Sequence, residues 1–440
     1  MVHVHGLQRI NQHGPGHPLA WIVWAVPAFF FLYEYILRIL PGMIEQTLER
    51  EFAINESEMG GALGMYYFAY APMQLVVGIL LDRYGARVLL AGAAVLCVIG
   101  MTVFAMSSTQ WGLAGSRFLV GFGSSFAFIG AVYVAMVWFP VRQVPLLTGL
   151  TAGLGFGIGI GGELFAHQLL GSPPAWRAAS VVLAIVGMIT AVGVLAIVPR
   201  RPTWHLDRNG NAKAPTIARA ASGLLLVMSR PRIWLISLGC ALVYLPLPLA
   251  ANWGPRSIGE LLGCPYPLST RLFAWFYLGI AIGCPVIGWL NSRFGAARPI
   301  LLLGSLTTSV ALLVLSTVGS STEPATSTGL VADGRFTALL LLLLGLATSS
   351  YVLGYPLAAA LSPGDAKGSA LALVNFVAMM AAFGFVWLFG VVVDALASTR
   401  GHPPAPDPGD FRSALLWTGV LVATAMICFA MVPAPRRSPA

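Results

Sequence analysis

Apolar residues in this chain do not alternate with polar ones; they continue, segment after segment, for the about 20 residues a helix needs to cross a bilayer. The runs fall near residues 20–41, 59–81, 87–107, 111–139, 145–170 and 177–198, then 233–252, 270–291, 299–319, 336–361, 367–394 and 412–432. They predict twelve membrane-spanning helices. A continuous run such as Ala338 to Leu346 excludes a membrane β-barrel, whose strands alternate apolar and polar positions over about 10 residues. The pattern defines an all-α polytopic membrane protein with two six-helix bundles, because a polar insert from Arg200 to Arg232 separates six runs from six more. The expected organisation is a tail at 1–18, a bundle at 19–199, a linker at 200–232, a second bundle at 233–432 and a tail at 433–440.

Composition agrees. Hydrophobic residues make up 57% of the 440 and charged residues only 9%, with a mean hydropathy of +0.81, whereas a soluble domain carries about 25% charge. The net charge of +9 does not point to nucleic acid, since the basic residues are scattered over the loops. It reports topology: with both termini in the cytoplasm most of the 25 lysines and arginines lie on that side, and the opposite orientation inverts the bias. The expectation is a multi-pass protein of the cell membrane, monomeric, with the lipid bilayer as its medium and no nucleic-acid partner. The first 18 residues are polar and the first apolar run spans fully, so it reads as a helix and not as a cleavable leader. Four of the five cysteines fall in spans, which leaves no disulfide framework. Glu45, Glu49, Glu51, Glu56 and Glu58 crowd the first outer loop, which is expected to extend into water.

The chain repeats itself. Gly78-Ile-Leu-Leu-Asp82-Arg83-Tyr84-Gly85-Ala-Arg87 returns as Gly288-Trp-Leu-Asn-Ser292-Arg293-Phe294-Gly295-Ala-Ala-Arg298, each copy following the second span of its half. A duplicated six-helix unit is the architecture of secondary transporters, with a binding site near the midplane between halves that rock. On these residues the chain, from about 19 to 432, resembles the major facilitator superfamily. The resemblance implies that Gly78, Asp82, Arg83, Gly85 and Arg87 form a cytoplasmic latch that closes when the cavity opens outward. In the second copy Ser292 replaces the acid and the second arginine is displaced to Arg298, so Arg293 and Gly295 mark a weaker latch with Asp82 dominant. Arg117 with Gly121 and Gly123 is similar to the superfamily's helix 4 motif. The fifth span lacks the proline of the antiporter motif of drug exporters, which argues modestly against efflux. Its Gly157, Gly159 and Gly162 match a dinucleotide fingerprint only in spelling, because no strand precedes them; they serve helix packing. A narrower resemblance, carried by Phe31 to Arg38 and Tyr66 to Gln74, is to bacterial amino-acid and organic-nutrient permeases.

Charges inside a membrane are costly and face a cavity or a partner. Here they are Glu34, Arg38, Arg117 and Glu163. Glu34 and Arg38, at i,i+4, share a helix face and either pair with each other or receive opposite ends of a solute; Arg38 alternatively clamps a carboxylate or phosphate. Arg117 neutralises a glutamate across the bundle or contacts substrate. Glu163 is a candidate for proton coupling, or is solvated near its helix end. Tyr67, Tyr70 and Gln74 form one polar stripe on the second span, while Asn375, Tyr351 and Tyr355 are candidates from the other half. The histidines at 3, 5, 13 and 17 lack a completing Cys or acid, so no metal is expected. No Walker sequence and no convergent catalytic set is present, so no cofactor and no enzyme activity are expected, and the proton gradient is the expected driving force. The function expected is alternating-access transport of a small organic solute, an amino acid, short peptide or organic anion, by proton symport. The alternatives are proton-antiport export of drugs or siderophore-like molecules and a carrier-like sensor.

Overall fold

Each apolar run folds as a helix, and prolines and glycines decide where it breaks. The computed structural model describes residues 19–140, 143–171, 175–199, 217–318, 327–362, 366–399 and 406–432. The first half begins with α1 (Leu19–Met43), a short α2 (Glu45–Phe52) and a span in two pieces, α3 (Glu56–Gln74) and α4 (Val77–Tyr84), parted just after Pro72. A reciprocal capping box between Asn55 and Glu58 starts α3. Gly85, at φ 80, then turns the chain into α5 (Ala86–Met106), a conformation that favours glycine. The fourth span is α6 (Gln110–Ser124) followed by α7 (Ala127–Trp138); α8 (Val144–Leu170) and α9 (Trp176–Ile197) complete the half.

The second half repeats the plan. It comprises α11 (Pro231–Tyr244) broken by Pro246 from α12 (Pro246–Asn252), then α13 (Gly254–Leu262), α14 (Tyr266–Phe294) and α15 (Ala297–Leu315). A divided span follows, α16 (Ser327–Thr348), a 3₁₀ turn at Ser349–Leu353 and α17 (Gly354–Leu361), and then α18 (Lys367–Thr399), α19 (Pro408–Ala423) and α20 (Ala425–Met431). Among the described residues ten helices are long and apolar enough to cross a membrane. The other two crossings are α3–α4, diluted by glutamates, tyrosines and Gln74, and α8, a 27-residue helix in which the described side chains form the apolar stretch Leu147–Gly162. This is a twelve-helix, two-bundle membrane fold.

Two expectations need correction. The linker is not polar throughout: α10 (Ile217–Met228) is a helix whose apolar residues pack on α18, with Val227 fully buried. The first outer loop does not extend into water either. Glu45 and Glu56 are buried, because α2 folds under the rim and presents its carboxylates to Arg256 on α13. Only Glu51 and Glu58 keep surface roles, Glu51 paired with Arg177 and Glu58 in the capping box.

The halves meet along α3 against α18 and α8 against α14. Contact is tightest at the end that holds Glu45. A Cβ on Gly42 would stand 2.1 Å from the Ala251 carbonyl oxygen, and one on Gly390 would stand 2.1 Å from that of Glu56. At the opposite end, near the repeated loop motif, Gly78, Gly149, Gly153 and Gly288 face open space. The structure is therefore a form closed at the Glu45 end. In the motif loops Gly85 and Gly295 both take positive φ, Arg83 and Arg293 are exposed and Arg87 is half-buried. The side chains of Asp82 and Ser292 lie outside the described ones. The displaced Arg298 donates through Nε to the Phe429 carbonyl at 3.1 Å and through Nη2 to that of Ala430 at 2.6 Å, capping the last helix.

Candidate functional site

The site begins with a gap in a hydrogen-bond ladder. Pro41 has no N–H, so the Leu37 carbonyl four residues earlier on α1 has no helical donor. Arg117, on α6 and 1% exposed, fills it: Nη1 donates to the Leu37 carbonyl at 2.7 Å and Nη2 to that of Arg38 at 3.3 Å. Its guanidinium also lies over the Tyr66 ring, 4.9 Å from the centroid. Arg117 thus holds in place the turn of α1 that carries Arg38.

On that turn the i,i+4 spacing produces an ion pair in which one guanidinium nitrogen serves both carboxylate oxygens. Arg38 Nη2 donates to Glu34 Oε1 at 3.0 Å and Oε2 at 3.3 Å. Tyr66 closes the triangle, accepting from Arg38 Nε at 3.0 Å and donating to Glu34 Oε2 at 2.9 Å. The arginine sits among three tyrosine rings, 5.2 Å from the centroid of Tyr35, 5.3 Å from Tyr66 and 5.5 Å from Tyr70. Glu34 is fully buried, whereas the Arg38 side chain keeps 11% of its surface open. Among the described side chains this core holds two guanidinium groups, Arg38 and Arg117, and one carboxylate, Glu34, one positive charge in excess.

The second half supplies polar aromatic groups at its helix breaks. Tyr244, where α11 ends, meets Tyr351 with centroids 5.1 Å apart, and Tyr351 in the 3₁₀ turn meets Tyr355 at 6.4 Å. Tyr355 donates to Asn375 Oδ1 at 3.0 Å, Asn375 to Gln74 Oε1 at 2.7 Å and Gln74 to the Ser125 carbonyl at 3.3 Å. This chain ties the halves together. A second tie runs from Asn252 Nδ2 to the Tyr67 hydroxyl at 3.3 Å. Broken helices around a midplane site are how a bundle exposes polar groups without leaving backbone unpaired in lipid.

Of the residues expected from the sequence, Glu34, Arg38 and Tyr70 come together directly, and Arg117 reaches them through the α1 backbone. Tyr67, Gln74, Asn375, Tyr351 and Tyr355 fall into the inter-half ties and the aromatic wall. Glu163 lies on α8, with its side chain outside the described ones. Tyr66 went unremarked as a site residue, although 66, 70 and 74 at i,i+4,i+8 form as good a helical stripe as 67, 70 and 74. Tyr35, Tyr244 and Asn252 had no signal beyond their residue type. Tyr66→Phe keeps the ring and removes both hydrogen bonds to charged groups, each worth about 1.5–3 kcal/mol. Transport by this variant is expected to fall at least about tenfold with the protein still folded, measured as initial uptake rate beside thermal unfolding in detergent.

Two six-helix halves joined through broken helices, closed at one end and enclosing a charged aromatic site, define a membrane carrier. The comparisons agree, and the chain belongs to the Major Facilitator Superfamily, whose model matches residues 27–270. An "MFS-type efflux pump" of Mycolicibacterium smegmatis is 24% identical, covering 97% of this chain and 95% of its own. The hexuronate transporter of Escherichia coli strain K12 is 24% identical over 88% of this chain and 89% of its own. Among solved structures, a bacterial homologue of the human lysosomal transporter Spinster aligns with a TM-score of 0.78 at 15% identity, over 97% of this chain and all of that one. The nucleoside transporter NupG aligns at 0.72 and 12% identity, over 94% and 99%. These likenesses establish the fold.

Proposed function

We propose that this protein is a secondary active importer of a small organic anion, driven by the proton gradient across the cell membrane, with the Glu45 end facing outward and each monomer a complete pathway. The observation that carries the reading is Arg38: partly open, ringed by three tyrosines and part of a core whose described side chains carry one positive charge in excess. A carboxylate fits its planar fork, and the tyrosine faces suit an apolar or sugar-like body. An anion arriving at Arg38 competes with Glu34, and a proton taken by Glu34 leaves the arginine to the substrate, which couples the two. Amino acids and short peptides carry the same carboxylate and remain within the reading. The hexuronate transporter among the relatives supports the anion class.

Export by proton antiport is the second reading, favoured by the full-length match to a protein described as an efflux pump. Purified protein in liposomes with an imposed proton gradient decides between them. Accumulation of one of several radiolabelled pools (organic acids, hexuronates, amino acids, dipeptides) with matching proton entry is the expected result. Proton release driven by hydrophobic drugs or chelators, with no uptake of any pool, would establish export instead.

A further inference from the structure

At the closed end a second charged cluster, separate from the Arg38 triangle, joins the halves. Arg256 on α13 is 6% exposed and stands among Glu45 and Glu49 of α2 and Glu56 at the start of α3. Its Nη2 donates to Glu56 Oε1. Its Nη1 has two hydrogens but faces three carboxylate oxygens, Glu45 Oε1 at 2.8 Å and Glu49 Oε1 and Oε2 at 2.7 and 2.6 Å. One N–H₂ group cannot serve all three. Glu45 Oε2 is meanwhile buried without a partner, in a residue 1% exposed. Three carboxylates on one guanidinium leave two negative charges in excess in a buried interface, which is costly unless a proton intervenes.

Among the described residues the surroundings do not balance that charge. Asp394 of α18 accepts from the Ser57 N–H at 2.7 Å and adds negative charge beside Glu56. On α19 Asp410 belongs to the helix cap, the Phe411 ring lies 5.1 Å from the Arg256 guanidinium carbon, and Arg412 is half-buried. On α13 Glu260 is half-buried, and on α2 Arg50 and Glu51 are exposed.

From this crowding we infer that Glu45 and Glu49 share a proton in the closed form, so that the outer gate of the carrier is a proton-binding site shut by acidity of the outer solution. When the halves part, Arg256 leaves with the second half, water reaches the carboxylates and the proton returns outside. The sign follows from the two states. In the closed form burial, reinforced by the charge of Glu45 and opposed by Arg256, pushes Glu49 up to about 8. Burial against the pull of Arg256 brings Glu45 to about 7. In the open form both are ordinary carboxyls near about 4.3. The closed form therefore binds the proton more tightly, and between about pH 8 and pH 7 each unit of acidification raises its ratio to the open form by about tenfold; below that, Glu45 and Glu56, which burial against the pull of Arg256 also brings to about 7, add to the slope. Only the direction in which the gate faces rests on the transport reading.

The test is a distance and needs no substrate. Full-length protein in nanodiscs carries spin labels at Ser108→Cys and Ser398→Cys, exposed sites at the Glu45 end of either half, with the native cysteines changed to alanine. Electron spin distance measurements between pH 9 and pH 6 are expected to show the ratio of short- to long-distance populations rising about tenfold between pH 8 and pH 7 and continuing to rise below. Glu49→Gln and, separately, Glu45→Gln are each expected to flatten that dependence above pH 7. A distribution that ignores pH, or either variant retaining the full slope, overturns the inference. A protein that switches with pH but moves no solute would overturn the proposed function and leave this inference standing.

Discussion

Arg38→Met is expected to abolish transport and to destabilise the protein by about 3–5 kcal/mol, because it leaves the fully buried Glu34 without its cation. The loss of stability alone would not reveal function. A second variant separates the two roles: Glu34→Gln combined with Arg38→Met removes both charges, and a buried pair replaced whole costs little. The double variant is expected to melt near the parent temperature in detergent yet to show no substrate-dependent uptake and no substrate-driven proton entry. If it transports at the parental rate, the pair is only an internal ion pair and the binding site lies elsewhere. Glu34→Gln alone is expected to bind substrate but to lose proton coupling, seen as exchange that continues without accumulation.

Gly390→Ala is expected to have the next largest effect, through shape alone. The added methyl would stand 2.1 Å from the Glu56 carbonyl oxygen, and that neighbour is backbone, which cannot rotate away. The halves must separate at the Glu45 end to admit it. Overpacking of this kind costs about 1–3 kcal/mol, enough to reverse a carrier's equilibrium by about tenfold or more. The prediction is a longer distance between labels at positions 108 and 398 and a comparable fall in turnover. Gly384→Ala on the same helix is the control, since nothing lies within 4 Å of its new Cβ. Unchanged distance and full turnover in Gly390→Ala would show that the closed end is not a moving contact.

The spans were legible because crossing a bilayer is a local requirement: about 20 apolar residues suffice, whatever the rest of the chain does. The Glu34–Arg38 pair was legible for the same reason, since i,i+4 spacing on one helix sets its geometry before any tertiary contact forms. Pro41 could likewise have announced an orphan carbonyl at Leu37, but not that Arg117, 80 positions further on, would fill it. The first outer loop was misread because five glutamates in a row of seventeen residues look like a solvated surface, and only the arrival of Arg256 from the other half makes three of them an interior cluster.

By itself, then, the sequence determined what depends on neighbours along the chain: twelve spans, a duplicated half, a carrier's loop motif and a charged pair inside the membrane. The tertiary structure decided what depends on residues brought from afar. It supplied the tyrosine cage around Arg38, the support from Arg117 and the shared carboxylates at the closed end. These contacts form only when separate helices pack, and hydropathy fixes that helices pack without fixing which faces meet.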